Sequence, residues 1–220
     1  MTGLDALHMT TPALLPTFQT RVVPVVVVTD PAQAVPMAEA LLAGGVDVIE
    51  ITLRSAAGLA AIEAVAKAVP AMQVGAGTVT RASEVAQVLN AGARFALSPG
   101  STPALIDAVL QARLPFIPGV GSPSEAMAMR DAGFTLMKCF PAAQLGGVEV
   151  LKAWGGPLPD LRFCPTGGVS LANMAQFLAL PNVAMVGGSW LTPAAAVQAG
   201  DWAQITRLAR EATLAAQAVA

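Results

Sequence analysis

The sequence predicts an α/β fold, a single-domain (β/α)8 barrel (TIM barrel) with an N-terminal helical or irregular cover. Three observations predict it. Short apolar runs recur eight times at a nearly even pitch, each is followed by a segment with helical spacing of Ala, Leu, Val and Met, and no charged low-complexity linker interrupts the 220 residues. Barrels of this kind run to roughly 200–250 residues as one unit. An open doubly wound sheet is the runner-up, but eight strands is a high count for it in so short a chain. The expected boundaries are 1–20 for the cover and 21–220 for the barrel.

The first run, Val22-Val-Pro-Val-Val-Val-Val28, leads into Thr29-Asp-Pro31, a start signal for a helix over 31–43 that stops at Gly44. The second run begins at Val46 and precedes a helix over 59–69. The third begins at Met72, with a helix over 83–91 ended by Gly92. The fourth begins near Arg94 and the fifth at Leu114; their helices span 103–111 and 124–132. Ser122-Pro-Ser-Glu125 marks the start of the latter and Gly133 its end. Phe134 opens the sixth run, before a helix over 148–154. Leu161 opens the seventh, with Ser170 ahead of a helix over 171–178. The eighth begins near Asn182, and the chain finishes in a helix over 202–217. Residues 1–20 read as a cover over the N-terminal barrel end. They lack the basic start and apolar core of a signal peptide, so a cytoplasmic location is expected.

Composition narrows the function classes. The chain is 55% hydrophobic and 12% charged, with mean hydropathy +0.62 and no Tyr. No stretch approaches 18 uninterrupted apolar residues, so no membrane span is expected. The apolar excess then belongs to a large core and a subunit interface. Net charge is −2 and the arginines are scattered, which gives no nucleic-acid footprint. His8 is the single histidine, so neither a His base nor a His-ligated metal is expected. Cys139 and Cys164 have neither metal-ligand nor redox spacing and read as buried structural thiols in a reducing compartment.

Lys138 is the most informative residue, because it lies in the apolar run Phe134-Thr-Leu-Met-Lys-Cys-Phe-Pro141. An unpaired buried charge costs several kcal/mol. The lysine is therefore either ion-paired with a buried carboxylate or kept as an amine that attacks a carbonyl. Strand side chains alternate faces, so Leu136, Lys138 and Phe140 share one face, and Glu50, Thr52 and Arg54 share one on the second run. A structural ion-pair network accounts for these charges but not for their place toward the C-terminal strand ends, where barrel enzymes do their chemistry. Thr78 ends the third run at the same mouth.

Arg162-Phe-Cys-Pro-Thr-Gly-Gly168 and Val186-Gly-Gly-Ser-Trp190 place paired glycines after the last two strands, a pattern that suits close backbone approach to a phosphate. Ordinary tight turns are the plainer reading. Gly75-Ala-Gly77 and Gly119-Val-Gly121 lack the third glycine of a dinucleotide loop, with Thr80 and Ser124 in its place. Ser98-Pro-Gly-Ser-Thr-Pro103 reads equally as a mouth wall or as a plain loop with a helix cap. Arg21 falls at the opposite, stability face. An attacking lysine needs a positioned acid/base; without a suitable histidine, Glu50 is the candidate, with Arg54 suited to a substrate carboxylate and Thr78 to the same group.

These strings resemble the 2-keto-3-deoxy-6-phosphogluconate (KDPG) aldolase / 4-hydroxy-2-oxoglutarate aldolase family. The resemblance rests on 46–54 with Glu50 and Arg54, 74–79, Leu97-Ser-Pro-Gly100, Lys138-Cys-Phe-Pro141, 162–168 and Gly187-Gly-Ser-Trp190, and it covers about 22–212. It implies a class I, metal-independent and cofactor-free lyase of the Entner–Doudoroff pathway. Such an enzyme forms a homotrimer and cleaves a phosphorylated keto-sugar acid to pyruvate and glyceraldehyde 3-phosphate. By the same resemblance Lys138 is the Schiff-base lysine and Glu50 the proton shuttle. Arg54, Thr78, Pro99 and Phe140 form the pyruvyl end, and Thr166, Gly167, Gly168, Gly188 and Ser189 the hydroxyl and phosphate end. Thr166 favours the gluconate over the galactonate epimer, and side activities on 4-hydroxy-2-oxoglutarate and oxaloacetate are implied. Residues 1–20 do not align. The alternatives are an aldolase for the galactonate epimer, another phosphosugar barrel enzyme such as an epimerase or isomerase, and a non-catalytic sugar-phosphate-binding module.

Overall fold

A computed structural model describes residues 12–219. Nine short parallel strands build the barrel wall: β1 Val22–Val26, β2 Val48–Thr52, β3 Gln73–Gly77, β4 Phe95–Leu97, β5 Phe116–Ile117, β6 Gly119–Val120, β7 Leu136–Cys139, β8 Arg162–Pro165 and β9 Val186–Gly188. β5 and β6 are one barrel strand interrupted at Pro118, which has no N–H to give to a ladder. Pairing runs β5-β4-β3-β2-β1-β9 and β6-β7-β8, and the bridges Phe163–Val183 and Thr166–Gly187 join β8 to the β9 segment. The ring is thereby closed as a (β/α)8 barrel.

The helices are α1 Ala34–Ala43, α2 Gly58–Ala68, α3 Ala82–Asn90, α4 Pro103–Ala112, α5 Pro123–Asp131, α6 Gly147–Gly155, α7 Met174–Leu178, α8 Ala194–Ala199 and α9 Trp202–Gln217. Local chemistry sets their starts. Thr102 and Ser122 each accept a hydrogen bond from the backbone N–H three residues on, with proline at the first helical position. Asp30 starts a 3-10 turn, Pro31–Gln33, ahead of α1. Two elements differ from expectation. α7 begins at Met174 because residues 170–173 form a turn in which Met174 N donates to Ser170 O. The eighth strand is delayed to Val186, and α8 is an added turn of helix before α9.

The N-terminal barrel end is closed by aromatic packing. Phe95 is fully buried with its ring against Gly75, where an added Cβ would lie 2.4 Å from it, and the Phe18 ring packs on it at 5.1 Å between centroids, tilted by 52°. The Gln19 and Thr20 N–H groups donate to the Asp47 carboxylate and hold this segment in place. Residues 12–20 form an irregular cover; 1–11 lie outside the described residues. Arg21 also serves this end, donating to the carbonyls of Leu178, Val183 and Ala184. No helix among the described residues is long and apolar enough to cross a membrane.

Candidate active site

Lys138 and Glu50 meet inside the barrel. β7 and β2 are opposite segments of the wall, and side-chain alternation turns both residues inward. The Lys138 Nζ donates to Glu50 Oε1 at 2.8 Å, with the lysine 2% and the glutamate 0% exposed. The other carboxylate oxygen, Oε2, is buried and has no hydrogen-bond partner among the described residues. The carboxylate fits only because Gly77 has no side chain: a Cβ there would lie 2.1 Å from Glu50 Oε1. The strand register that brings them together pairs Glu50 with Gly75 and Thr52 with Gly77.

Two further inward-facing residues border the amine. The Lys138 Nζ stands 5.7 Å from the centroid of the Phe140 ring, in range of a cation–π contact. Cys164 is the register partner of Lys138 on β8. Burial pushes the Cys164 thiol up to about 12; the Lys138 charge opposes that rise and the Glu50 charge adds to it. Cys139 is also driven to about 12 by burial. Both thiols are free and buried, as expected. Thr166, two residues beyond Cys164, is 4% exposed, and its hydroxyl donates to the Cys164 carbonyl at 3.4 Å.

At the mouth Arg54 Nε donates to Thr78 Oγ1 at 3.3 Å. Arg54 was expected on the β2 face, but β2 ends at Thr52, and Arg54 lies exposed in the following turn. Thr52 instead donates its hydroxyl to the Val26 carbonyl on β1, a link within the wall. Thr78 is held at φ 60, a left-handed conformation that costs a β-branched residue free energy and marks a constrained position. The Ser98–Gly100 loop is fastened to β6: Gly119 N donates to Ser98 Oγ and Ser101 Oγ to the Gly119 carbonyl, each at 3.0 Å. This fixes Pro99 at the end of β4.

The two glycine pairs divide. Gly167 and Gly168 follow β8 with φ 94 and 78, where side chains are strained. Gly187 and Gly188 lie within β9, and packing explains them: Gly187 makes room for the Thr166 hydroxyl and Gly188 for the Trp190 ring. Ser189 and Arg54 share a cavity of about 430 Å3 with Thr29, Gln33 and Thr192 among its lining. From sequence Thr29 read only as part of a helix start, and Gln33 and Thr192 were not singled out. Their signal was position: they follow β1 and β9 at the end where barrel sites form.

The family model for KDPG and KHG aldolase matches residues 17–208. A 2-dehydro-3-deoxy-phosphogluconate aldolase of Pseudoalteromonas atlantica is 52% identical over 201 residues, covering 91% of this chain and 94% of the relative. A Legionella pneumophila KDPG aldolase structure, with pyruvate captured at low pH as a covalent carbinolamine, superposes with TM-score 0.86 at 44% identity, covering 88% of this chain and 94% of that one. A Zymomonas mobilis 2-keto-3-deoxy-6-phosphogluconate aldolase structure with 3-phosphoglycerate gives TM-score 0.83 at 41% identity, covering 88% and 91%. The chain belongs to the KDPG and KHG aldolase family.

Proposed function

We propose that this protein is a class I aldolase that cleaves 2-dehydro-3-deoxy-6-phosphogluconate to pyruvate and glyceraldehyde 3-phosphate. The carrying observation is the Lys138–Glu50 pair, an amine buried in the barrel and hydrogen-bonded at 2.8 Å to a carboxylate whose second oxygen is unpartnered. An ion pair retained for stability alone gains nothing from a buried, unsatisfied oxygen. That oxygen is the natural place for a proton in transit. The carbinolamine in the Legionella relative supports an amine that attacks pyruvate.

In the proposed sequence Glu50 takes the ammonium proton, and the Lys138 amine adds to the C2 keto group to give a carbinolamine. Glu50 returns the proton to the departing hydroxyl, water leaves and an iminium forms. Glu50 then removes the C4 hydroxyl proton. The C3–C4 bond breaks, its electron pair enters the iminium to give an enamine, and the aldehyde departs. Protonation of the enamine carbon by Glu50, followed by hydrolysis of the imine, releases pyruvate and restores the amine.

Arg54 and Thr78, already joined at 3.3 Å, bind the substrate carboxylate, with Pro99 and Phe140 lining that end. Thr166 meets the chain hydroxyl, and Gly167, Gly168, Gly188 and Ser189 hold the phosphate; the 3-phosphoglycerate in the Zymomonas relative supports such an end. The same iminium sink would serve 4-hydroxy-2-oxoglutarate cleavage and oxaloacetate decarboxylation. A cytoplasmic homotrimer completes the reading, and sedimentation tests the assembly.

The deciding experiment is borohydride reduction with pyruvate present, followed by peptide mass spectrometry. A reduced pyruvyl adduct on Lys138 is the expected result. An unmodified Lys138, or an adduct on Lys67 or Lys152, would remove the mechanism.

A further inference from the structure

Asn173 occupies the residue before α7, where an asparagine ordinarily accepts a hydrogen bond from the first turn of its own helix. It makes no such bond. Its Nδ2 donates to the Gly168 carbonyl at 2.9 Å, and its Oδ1 accepts from the Ser170 N–H at 2.8 Å. One partner is only an acceptor and the other only a donor, so the amide has a single orientation. The side chain thus turns away from its helix and clasps the loop that follows β8.

That clasp completes a pattern along three successive peptides. The Thr166 carbonyl accepts from Ala142 N at 2.8 Å, the Gly167 carbonyl from Ala143 N at 3.0 Å, and the Gly168 carbonyl from Asn173. In a planar trans peptide the C=O and the following N–H point in opposite directions. Each held carbonyl therefore aims the next N–H, those of Gly167, Gly168 and Val169, to the other side. Gly167 and Gly168 both have positive φ, a region glycine enters without strain, so the loop holds these peptide orientations at no steric cost. Backbone bonds to the segment after β7 hold the first two peptides. The third depends on one side chain.

We infer that Asn173 is a positioning residue for the phosphate end of the substrate: by pinning the Gly168 carbonyl it aims the Val169 N–H at the phosphate group. The inference rests on the aldolase reading above and extends it to a residue that touches neither the substrate nor Lys138. It predicts a defect that scales with the phosphate and spares the chemistry at the other end.

The test compares Asn173→Ala and Asn173→Gln with the parent on 2-dehydro-3-deoxy-6-phosphogluconate and on its unphosphorylated counterpart, alongside inorganic phosphate binding measured by calorimetry. The Gln variant keeps both amide groups on a longer stem and serves if Ala does not fold. The expected result is about a tenfold rise in KM for the phosphorylated substrate with kcat nearly unchanged, as for loss of one hydrogen bond's alignment. Phosphate binding weakens in parallel, and the unphosphorylated substrate is processed as by the parent. Equal losses on both substrates, or unchanged phosphate binding, overturn the inference. A parent that turns over neither substrate defeats the aldolase reading instead, and phosphate binding to the parent and Asn173→Gln then still decides whether Asn173 shapes an anion site.

Discussion

Gly77→Ala is the most demanding test of the site geometry, because it adds one methyl group against the Glu50 carboxylate and changes neither Glu50 nor Lys138. The glycine does not lie at positive φ, so alanine fits the backbone and the effect is steric. The new Cβ would sit 2.1 Å from Glu50 Oε1, 2.5 Å from its Cγ and 2.7 Å from its Cδ, whereas ordinary contact begins at 3.4 Å. Relief requires a displacement of about 1.3 Å. A shift of that size takes the 2.8 Å bond to Lys138 beyond hydrogen-bond range or forces a strained rotamer. Overpacking of this kind costs about 1–3 kcal/mol of stability. Misplacing an acid/base by 1 Å lowers turnover by about 100-fold. Steady-state kinetics and urea unfolding measure the two effects. Adding Glu50→Asp shortens the obstructing side chain, so the double variant should lose less stability than the two single changes predict together. A Gly77→Ala protein within threefold of the parent in kcat, a span well below the ~100-fold expected, would refute the placement of Glu50.

The remaining predictions address other parts of the molecule. Lys138→Met should abolish turnover and strand the Glu50 carboxylate, costing about 3–5 kcal/mol in chemical denaturation, while Lys138→Met with Glu50→Gln recovers much of that stability without activity. Thr78→Gly should relieve the left-handed backbone and raise stability by about 0.5–1 kcal/mol while raising KM for the substrate, as read by thermal unfolding and kinetics. The Cys164 thiol keeps its proton to a higher pH when folded than when unfolded, so its contribution is full below about pH 9 and is lost as pH rises toward 12. In that window it alone makes stability fall by about 1.4 kcal/mol per pH unit, and denaturant midpoints against pH, compared with Cys164→Ala, measure the slope.

Much of this protein was legible without coordinates. Side-chain periodicity is a local property, so alternating and helical patterns marked the eight strand–helix units and grouped Glu50 with Thr52 and Lys138 with Phe140 on one face of their strands. An apolar run also makes a lysine conspicuous, which singled out Lys138 before any partner was known. Local signals failed where one element's end depends on another. β2 ends at Thr52, whose hydroxyl binds the Val26 carbonyl of β1, and Arg54 falls in the turn beyond it. Likewise Ser170 was a reasonable helix start, but Asn173 draws the segment into a turn around the Gly168 carbonyl.

Distances across the barrel were decided only by closure and register. Glu50 and Lys138 are 88 residues apart in sequence, and no local rule brings them to 2.8 Å. The same register turns Gly77, which reads from sequence as part of a failed nucleotide motif, into the space that holds a carboxylate. It also gives the β9 glycines to Thr166 and Trp190. Which residues share a face follows from the chain alone, since each strand carries its own period; which face is inside does not, because β1 and β2 are buried on both. Which of them touch depends on how eight strands are staggered around one ring, and that is set by the packing of the whole.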